Sequence, residues 1–421
     1  MPPTEQARLR ILFVSYFCPP EVAAPASRVI ENASRLATMG HDVTILTGLP
    51  NHPLGRVFGG YRRRLYQSES MNGVRVLRVC SWIAPNTGAV NRLSSQLSLM
   101  CAQIIGGLFA GRMDVVVGTS PPLFQAFAGW AISAFSRCPF VFEVRDLWPE
   151  NMVAVGAVRS GTGIRLLSLL ERFLTRRAAR LVAVTQGFAD YYLQKGVPAD
   201  RIGVVTNGVD LEEYRPVPYP VELARELNLD GKFVAGYLGT VGINHGLRTI
   251  LDAAEVLHAH RDVVFVVVGD GAERAALEAE SARRGLDNVR FLGERTRAEM
   301  PAFHALCDVV MILLKRAPYF HRVLPSKIFV CMGLERPILL GVDGEARRIV
   351  EEAGAGLFVE PEHSPAVADA VLRLRRMKAE GTLDSMGRAG RAFVARRFDR
   401  NALARDLDKL LRAAVGVVER G

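Results

Sequence analysis

At 421 residues, 49% of them hydrophobic and 23% charged, the chain is too long for one ordinary core and too apolar for a disordered protein, so two domains are expected. The formal charge of +10 is uneven: residues 1–203 hold 22 Lys and Arg against 12 Asp and Glu, whereas residues 204–421 hold 31 of each. That asymmetry predicts an anionic partner for the N-terminal half. No nucleic-acid motif occurs, which disfavours nucleic acid and favours a membrane surface, where anionic lipid attracts each nearby cation by about 1 kcal/mol. The six cysteines (18, 80, 101, 138, 307, 331) form neither a CxxC pair nor a metal spacing and read as reduced thiols. MPPTEQARLR runs into the first strand without the apolar region of a signal peptide, so a cytoplasmic protein is expected.

In chain order, a strand is expected over 9–17, a helix over 26–39 that stops at Gly40, and a strand over 42–47. A loop rich in Gly, Pro and Arg leads to the strand VRVLRV (74–79) and an uncharged helix near 91–110. Then follow DVVVGTS (114–120), a helix at 123–136, FVFEV (140–144), a helical region at 162–178, and the strands 181–185 and 203–208. Residues 93–111 and 115–136 run 19 and 22 residues without a charge. The first is diluted by serines and glutamines and the second is broken by TSPP (119–122), so both read as core or interfacial helices rather than membrane spans.

Three prolines between 216 and 220 mark 211–230 as a linker. Beyond it the alternation restarts with the strands FVAGYLG, VVFVVVGDG, VRFLG, DVVMILL, PILLG and GLFVE, separated by helices. Basic amphipathic helices fill 365–415. Continuous Val/Ile/Leu strands alternating with helices predict parallel sheets covered on both faces. The expected architecture is therefore α/β, with two Rossmann-like, doubly wound domains facing a central cleft. Their bounds are 1–210 and 231–395, and 396–421 is expected to form a helix crossing back to the first domain.

Three stretches carry candidate chemistry. FVFEVRDLWPENM (140–152) places Glu143, Arg145 and Asp146 where a buried strand surfaces. Helix punctuation explains such residues, and so does an active site at a strand's carboxyl end. VVVGDGAER (266–274) has Gly269 and Gly271 around Asp270, a sharp strand–helix turn with or without a ligand. In LPSKIFVCMGLERPILLG (324–341), Pro325 and Ser326 fit a helix start, as first-turn proline and cap. Lys327 then opposes the helix dipole, an arrangement suited to holding a diphosphate, although a solvated lysine is the plainer reading. GxxxxGK[ST], HExxH and GxSxG are absent and the histidines are dispersed, so neither a P-loop nor a metal site is expected.

Taken together, YFCPPEVAAPASRV, LTGLPNHPLGRVFGGYRRRLY, TSPP, FEVRDLWPE, TNGVD, LGTVGINHGL, VVGDG and PSKIF resemble the large retaining glycosyltransferase family of GT-B fold. More narrowly they resemble its bacterial surface-polysaccharide branch, which includes N-acetyl-L-fucosamine and colanic-acid transferases. The resemblance implies a nucleotide-sugar co-substrate, expected to be UDP-linked and N-acetylated, and no other cofactor. It implies a donor site in the C-terminal domain from Gly239, Thr240, Gly242, His245, Gly269, Asp270, Gly271, Pro325, Ser326, Lys327, Ile328 and Glu345. Lys327 is the main cation for the leaving diphosphate, in place of a metal ion. On the acceptor side it implies Pro20, Glu21, Arg28, Asn51, Arg62, Arg63, Thr119, Ser120, Glu143 and Asn207. Asp146 is expected to orient or deprotonate the acceptor hydroxyl, with Arg145 or Glu143 in support.

The implied acceptor is a polyprenyl-diphosphate-linked saccharide at the inner face of the cytoplasmic membrane, met peripherally by Arg62–Arg64 between Tyr61 and Tyr66 and by the apolar stretch 93–136. One departure stands out: Val330 occupies the place where the family has a glutamate for the donor ribose. A nonhydrolysing sugar-nucleotide epimerase on the same architecture, or a binding protein weakened by Val330, remain alternatives at this point.

Overall fold

The structure, a computed structural model, describes residues 7–52, 55–84, 88–154 and 161–416. The first six residues of the N-terminal segment, Pro53 and Leu54 of the PNHPLGR loop, and the end of the 396–421 segment lie outside them. The chain forms two compact units, one reaching to Thr206 and resuming at Asn401, the other running from Asn207 to Arg400.

In the first unit the elements are β1 (Arg10–Val14), α1 (Ala24–Thr38), β2 (Asp42–Gly48), β3 (Tyr66–Met71), β4 (Val74–Val79), α2 (Ala89–Gly107), β5 (Val115–Ser120) and α3 (Leu123–Ser136). They continue with β6 (Phe140–Val144), α4 (Glu150–Ala154), α5 (Thr162–Arg177), β7 (Arg180–Ala183), α6 (Gln186–Gln194) and β8 (Ile202–Val204). The eight strands order β3-β4-β2-β1-β5-β6-β7-β8, parallel except for the edge strand β3. The central strands are buried throughout, as their apolar runs require of a sheet covered on both faces.

Strand β3 is absent from the expectation above. YQSESM alternates polar residues on an edge and has no apolar run to announce it. The Asn72–Gly73 turn that joins it to β4, with φ of 50° and 78°, is the local signal that identifies the hairpin. The strand expected at 203–208 is shorter, ending at Val204.

The second unit holds α7 (Val221–Glu226), β9 (Phe233–Leu238), α8 (Arg248–Val256), β10 (Val263–Val268), α9 (Arg274–Arg284), β11 (Val289–Gly293), α10 (Met300–Leu306) and β12 (Val309–Leu313). After these come α11 (Lys327–Gly333), β13 (Ile338–Gly341), α12 (Glu345–Glu352), β14 (Gly356–Phe358), α13 (Ser364–Ala379) and α14 (Leu383–Arg397). Its sheet, β11-β10-β9-β12-β13-β14, is wholly parallel and has the 3-2-1-4-5-6 order of a Rossmann fold. The expected linker is not all coil, since α7 lies within it. The last helix, α15 (Arg400–Val415), packs Leu407 and Leu411 among Leu9, Ile11, Phe13 and Leu36 in the first unit's core.

In each sheet the strand order reverses between two neighbours, β1 and β5 in the first and β9 and β12 in the second. The crevice outside the carboxyl ends at such a point is where open α/β sheets bind ligands.

Candidate active site

In the first unit, β6 delivers the three charged residues in question. Alternation along the strand turns Glu143 inward, and its carboxylate is clamped between two arginines. Arg28 of α1 donates from Nε at 3.0 Å and Arg145 from Nε at 2.7 Å, with side chains only 7% and 8% exposed. Burial pushes the Glu143 carboxyl up, but Arg145 and Arg28 more than reverse that and hold it ionised. The remaining Arg28 nitrogens donate to the carbonyls of Val205 at 2.7 Å and Thr206 at 2.8 Å, and Arg145 Nη1 donates to Pro25 at 3.0 Å.

Several expected acceptor ligands are therefore corrected. Arg28 and Glu143 are internal ties between α1, β6 and the segment after β8, and cannot also hold an acceptor. Thr119 is buried and its hydroxyl donates to the Val14 carbonyl at 3.2 Å. Ser120 is buried too, and its carbonyl accepts from the Arg145 N–H. Glu21 is also occupied: its carboxylate accepts backbone N–H bonds from Cys18, Asn51 and His52 at 3.3, 3.0 and 2.9 Å. It shapes the loops after β1 and β2.

Asp146 is different. It lies past the strand's end, partly exposed, and accepts a hydrogen bond from the Asn151 side-chain amide. Burial pushes its carboxyl up to about 7, against the opposing pull of Asn151 and the Leu147 N–H. A carboxyl that titrates near neutrality can both accept and return a proton.

Close by in sequence, Trp148 lines a cavity of about 270 Å³ with Tyr16, Phe17, Asn51, His52 and Arg92. The loops after β1, β2, β5 and β6 line it together with the N-terminal half of α2 and Ala84, which places it at the β1/β5 switch point. Of the expected acceptor ligands only Asn51 lines it. Three separate loops supply its aromatic lining, Tyr16 and Phe17 after β1, His52 after β2 and Trp148 after β6, so the one local signal for it is aromatics just after strand ends. Arg62 and Arg63 are exposed on the loop before β3, Pro20 is exposed before α1, and Asn207 is half-exposed.

In the second unit the turns after β9 and β10 and the start of α11 come together. Lys327 Nζ donates to the Tyr237 hydroxyl at 3.1 Å, and that hydroxyl donates to the Thr240 carbonyl at 2.6 Å. Burial pulls the Lys327 ammonium down to about 8. His245 stands 5.9 Å ring to ring from Tyr237, lowered to about 4 by burial and by Lys327, and is therefore neutral.

Gly239, at φ +130°, passes so close that a Cβ there would lie 2.6 Å from Lys327 Nζ. The turn with Asp270 is drawn against it: a Cβ on Gly269 would lie 2.0 Å from the Gly239 carbonyl oxygen, and one on Gly271 2.3 Å from that of Val241. The Asp270 carboxylate accepts from the Gly271 N–H at 2.7 Å. Thr240 is exposed and Gly242 half-exposed. Tyr237, absent from the expected set, is the residue that positions the lysine.

The start of α11 is shifted from the expected one. Ser326 is the N-cap but its side chain makes no capping bond, and Pro325 precedes the cap rather than filling the first turn. Ile328 is fully buried, so its side chain cannot touch a donor. Val330 is partly exposed one turn beyond Lys327, and Glu345 is partly exposed at the first position of α12.

Residues 24–208 match the glycosyl transferase 4-like domain and residues 232–376 match the glycosyl transferases group 1 domain. WcaI of Escherichia coli K12, a protein assigned to colanic acid biosynthesis, is 25% identical over 397 residues, covering 89% of this chain and 97% of its own. A GDP-mannose-dependent alpha-mannosyltransferase of Mycolicibacterium smegmatis is 25% identical over 354 residues, 84% of each chain. Among solved structures, HepE of Anabaena, in complex with UDP and glucose, superposes with a TM-score of 0.70 at 20% identity, over 96% of this chain and 100% of its own.

Proposed function

We propose that this chain, a glycosyltransferase with the two Rossmann-like domains of the GT-B fold, moves a sugar from a UDP-linked donor to a lipid-linked saccharide in cell-surface polysaccharide assembly. Transfer with retention, an N-acetylated sugar, a polyprenyl-diphosphate acceptor and charge compensation by protein cations in place of a metal belong to the same reading. They come from the sequence resemblance.

The observation that carries it is the Lys327 ammonium, held by Tyr237 beside the glycine turns after β9 and β10. A desolvated cation next to backbone that no side chain obstructs is suited to a diphosphate, and stabilising the charge of that leaving group is the main way such a site lowers the barrier. Thr240, Gly242 and His245 border the same turn. Glu345 is the carboxylate assigned to the donor ribose in place of the one missing at Val330. In the first unit, Asp146 receives the acceptor hydroxyl, while the leaving phosphate oxygen takes its proton at the end of a front-face transfer.

Peripheral membrane attachment is supported by the first unit's surface. Leu65, Trp82, Leu108 and Phe109 are all at least 65% exposed, and Arg62, Arg63 and Arg64 adjoin Leu65 in the chain. Among the described residues no helix is long and apolar enough to cross a membrane. Aromatic and apolar groups at headgroup depth with cations beside them fit an interfacial protein.

A thermal-shift panel of UDP-, GDP- and dTDP-sugars tests the donor assignment, because a ligand at a hundred times its Kd adds about 2.7 kcal/mol of apparent stability. UDP-sugars alone are expected to raise Tm. A response confined to GDP-sugars would replace the donor, and no response to any would overturn the reading.

A further inference from the structure

Among the described residues no charged side chain is paired with the Asp146 carboxyl. Arg145 and Arg28 close on Glu143, and Glu150 of α4 faces Tyr191 of α6 and Lys195, which caps that helix. What it meets is the Asn151 amide, whose Nδ2 donates to Oδ2, with the Leu147 N–H as a second donor. Asn151 is itself held. Its N–H donates to the Leu147 carbonyl at 2.8 Å, closing the turn. Helix α4 has five residues, too few to be stable alone, and it is fixed from outside. Its Glu150 accepts from the Tyr191 hydroxyl and from Lys195 Nζ at 3.2 Å, and the same Nζ reaches the buried Glu171 of α5 at 2.9 Å.

We propose that Asn151 is a positioning residue for Asp146, holding its carboxylate ionised and aimed while the Glu150–Lys195–Glu171 clamp holds Asn151. The proposal rests on the reading of Asp146 as the group that receives the acceptor hydroxyl. An amide donating to a carboxylate in a partly dry site favours the charged form, and without it the Leu147 N–H alone is left to oppose desolvation. Asn151 also suits the other protonation state. Its Oδ1 is buried with no partner among the described residues, so a half-turn of the amide would present an acceptor to a protonated Asp146. A hydrophobic or cationic neighbour would support only one of the two states.

The test is the titration of Asp146 in the full chain without substrate, followed by carbon-13 NMR of labelled aspartate carboxyls and assigned by the resonance lost in Asp146→Asn. Asn151→Ala should move that titration upward by about one to two pH units, the loss of one hydrogen bond to a charged group. Asn151→Asp, nearly the same size and so the safer variant for folding, should move it further, because two adjacent carboxyls cannot both ionise freely. The acid limb of UDP release from UDP-N-acetylglucosamine, or from whichever UDP-sugar raises Tm most, should follow the same shifts. An unchanged Asp146 titration in both variants overturns the proposal. Asp146→Asn releasing UDP at the wild-type rate would instead remove the reading of Asp146, and the titration would still decide the role of Asn151.

Discussion

The Lys327 ammonium lies 3.1 Å from the Tyr237 hydroxyl and 4.3 Å from the centre of that ring, and among the described residues no carboxylate is paired with it. A cation so placed is costly to the fold and useful only to an anionic ligand. Its folded value of about 8 lies below the 10.5 of a free lysine, so its destabilisation is fully present below pH 8 and is relieved as pH rises towards 10.5. Lys327→Met should therefore raise stability at neutral pH by about 1–2 kcal/mol in a denaturant melt, allowing for partial exposure. It should also weaken UDP-sugar binding by roughly 10–100-fold. A variant both less stable and unimpaired in binding would remove Lys327 from the donor site.

Binding a diphosphate should restore the lysine's ordinary affinity for its proton. At pH 9, UDP binding is expected to take up protons, seen by calorimetry in buffers of different ionisation enthalpy. Identical heats in all buffers, after correction for dilution, would place the diphosphate elsewhere.

Val330 lies three residues after Lys327, the spacing that puts two side chains on one helix face. Val330→Glu would place a carboxylate beside that lysine, and should tighten UDP binding tenfold or more if the ribose lies over that face. Affinity equal to wild type would indicate that the nucleoside is held from another direction, with Glu345 the first residue to substitute.

Glu143→Ala should cost about 3–5 kcal/mol, because it strands two buried guanidinium groups. The folded Glu143 carboxyl is held below its ordinary value, so the stability it contributes is present above that value and lost as pH falls through the folded one. The wild-type stability curve should therefore fall on the acid side, and Glu143→Ala should flatten that fall. A variant with wild-type acid sensitivity would assign the acid limb to other carboxylates.

Replacing Arg62, Arg63 and Arg64 by Ser should weaken binding to vesicles containing anionic lipid by up to about 1 kcal/mol per residue, with less effect in high salt. Vesicle binding that ignores both the substitutions and the salt would make the loop a solvated turn.

The alternation of strands and helices was legible because each buried strand is a continuous apolar run and each boundary carries local punctuation, such as Gly40 after α1. So was Lys327 as an odd cation at a helix start. Some errors were avoidable from periodicity alone: Ile328, Phe329, Cys331 and Met332 form the buried face of α11, while Lys327 and Val330 share its outer side. What no local pattern contains is the fate of the charges at the end of β6. Glu143 and Asp146 stand three residues apart and look alike in sequence, yet one is neutralised by Arg28, 115 residues away, while among the described residues the other accepts from uncharged donors, the Asn151 amide and the Leu147 N–H. Only the tertiary structure separates them, because a carboxyl's proton affinity follows from which groups the fold brings within a few ångströms and how much water it leaves.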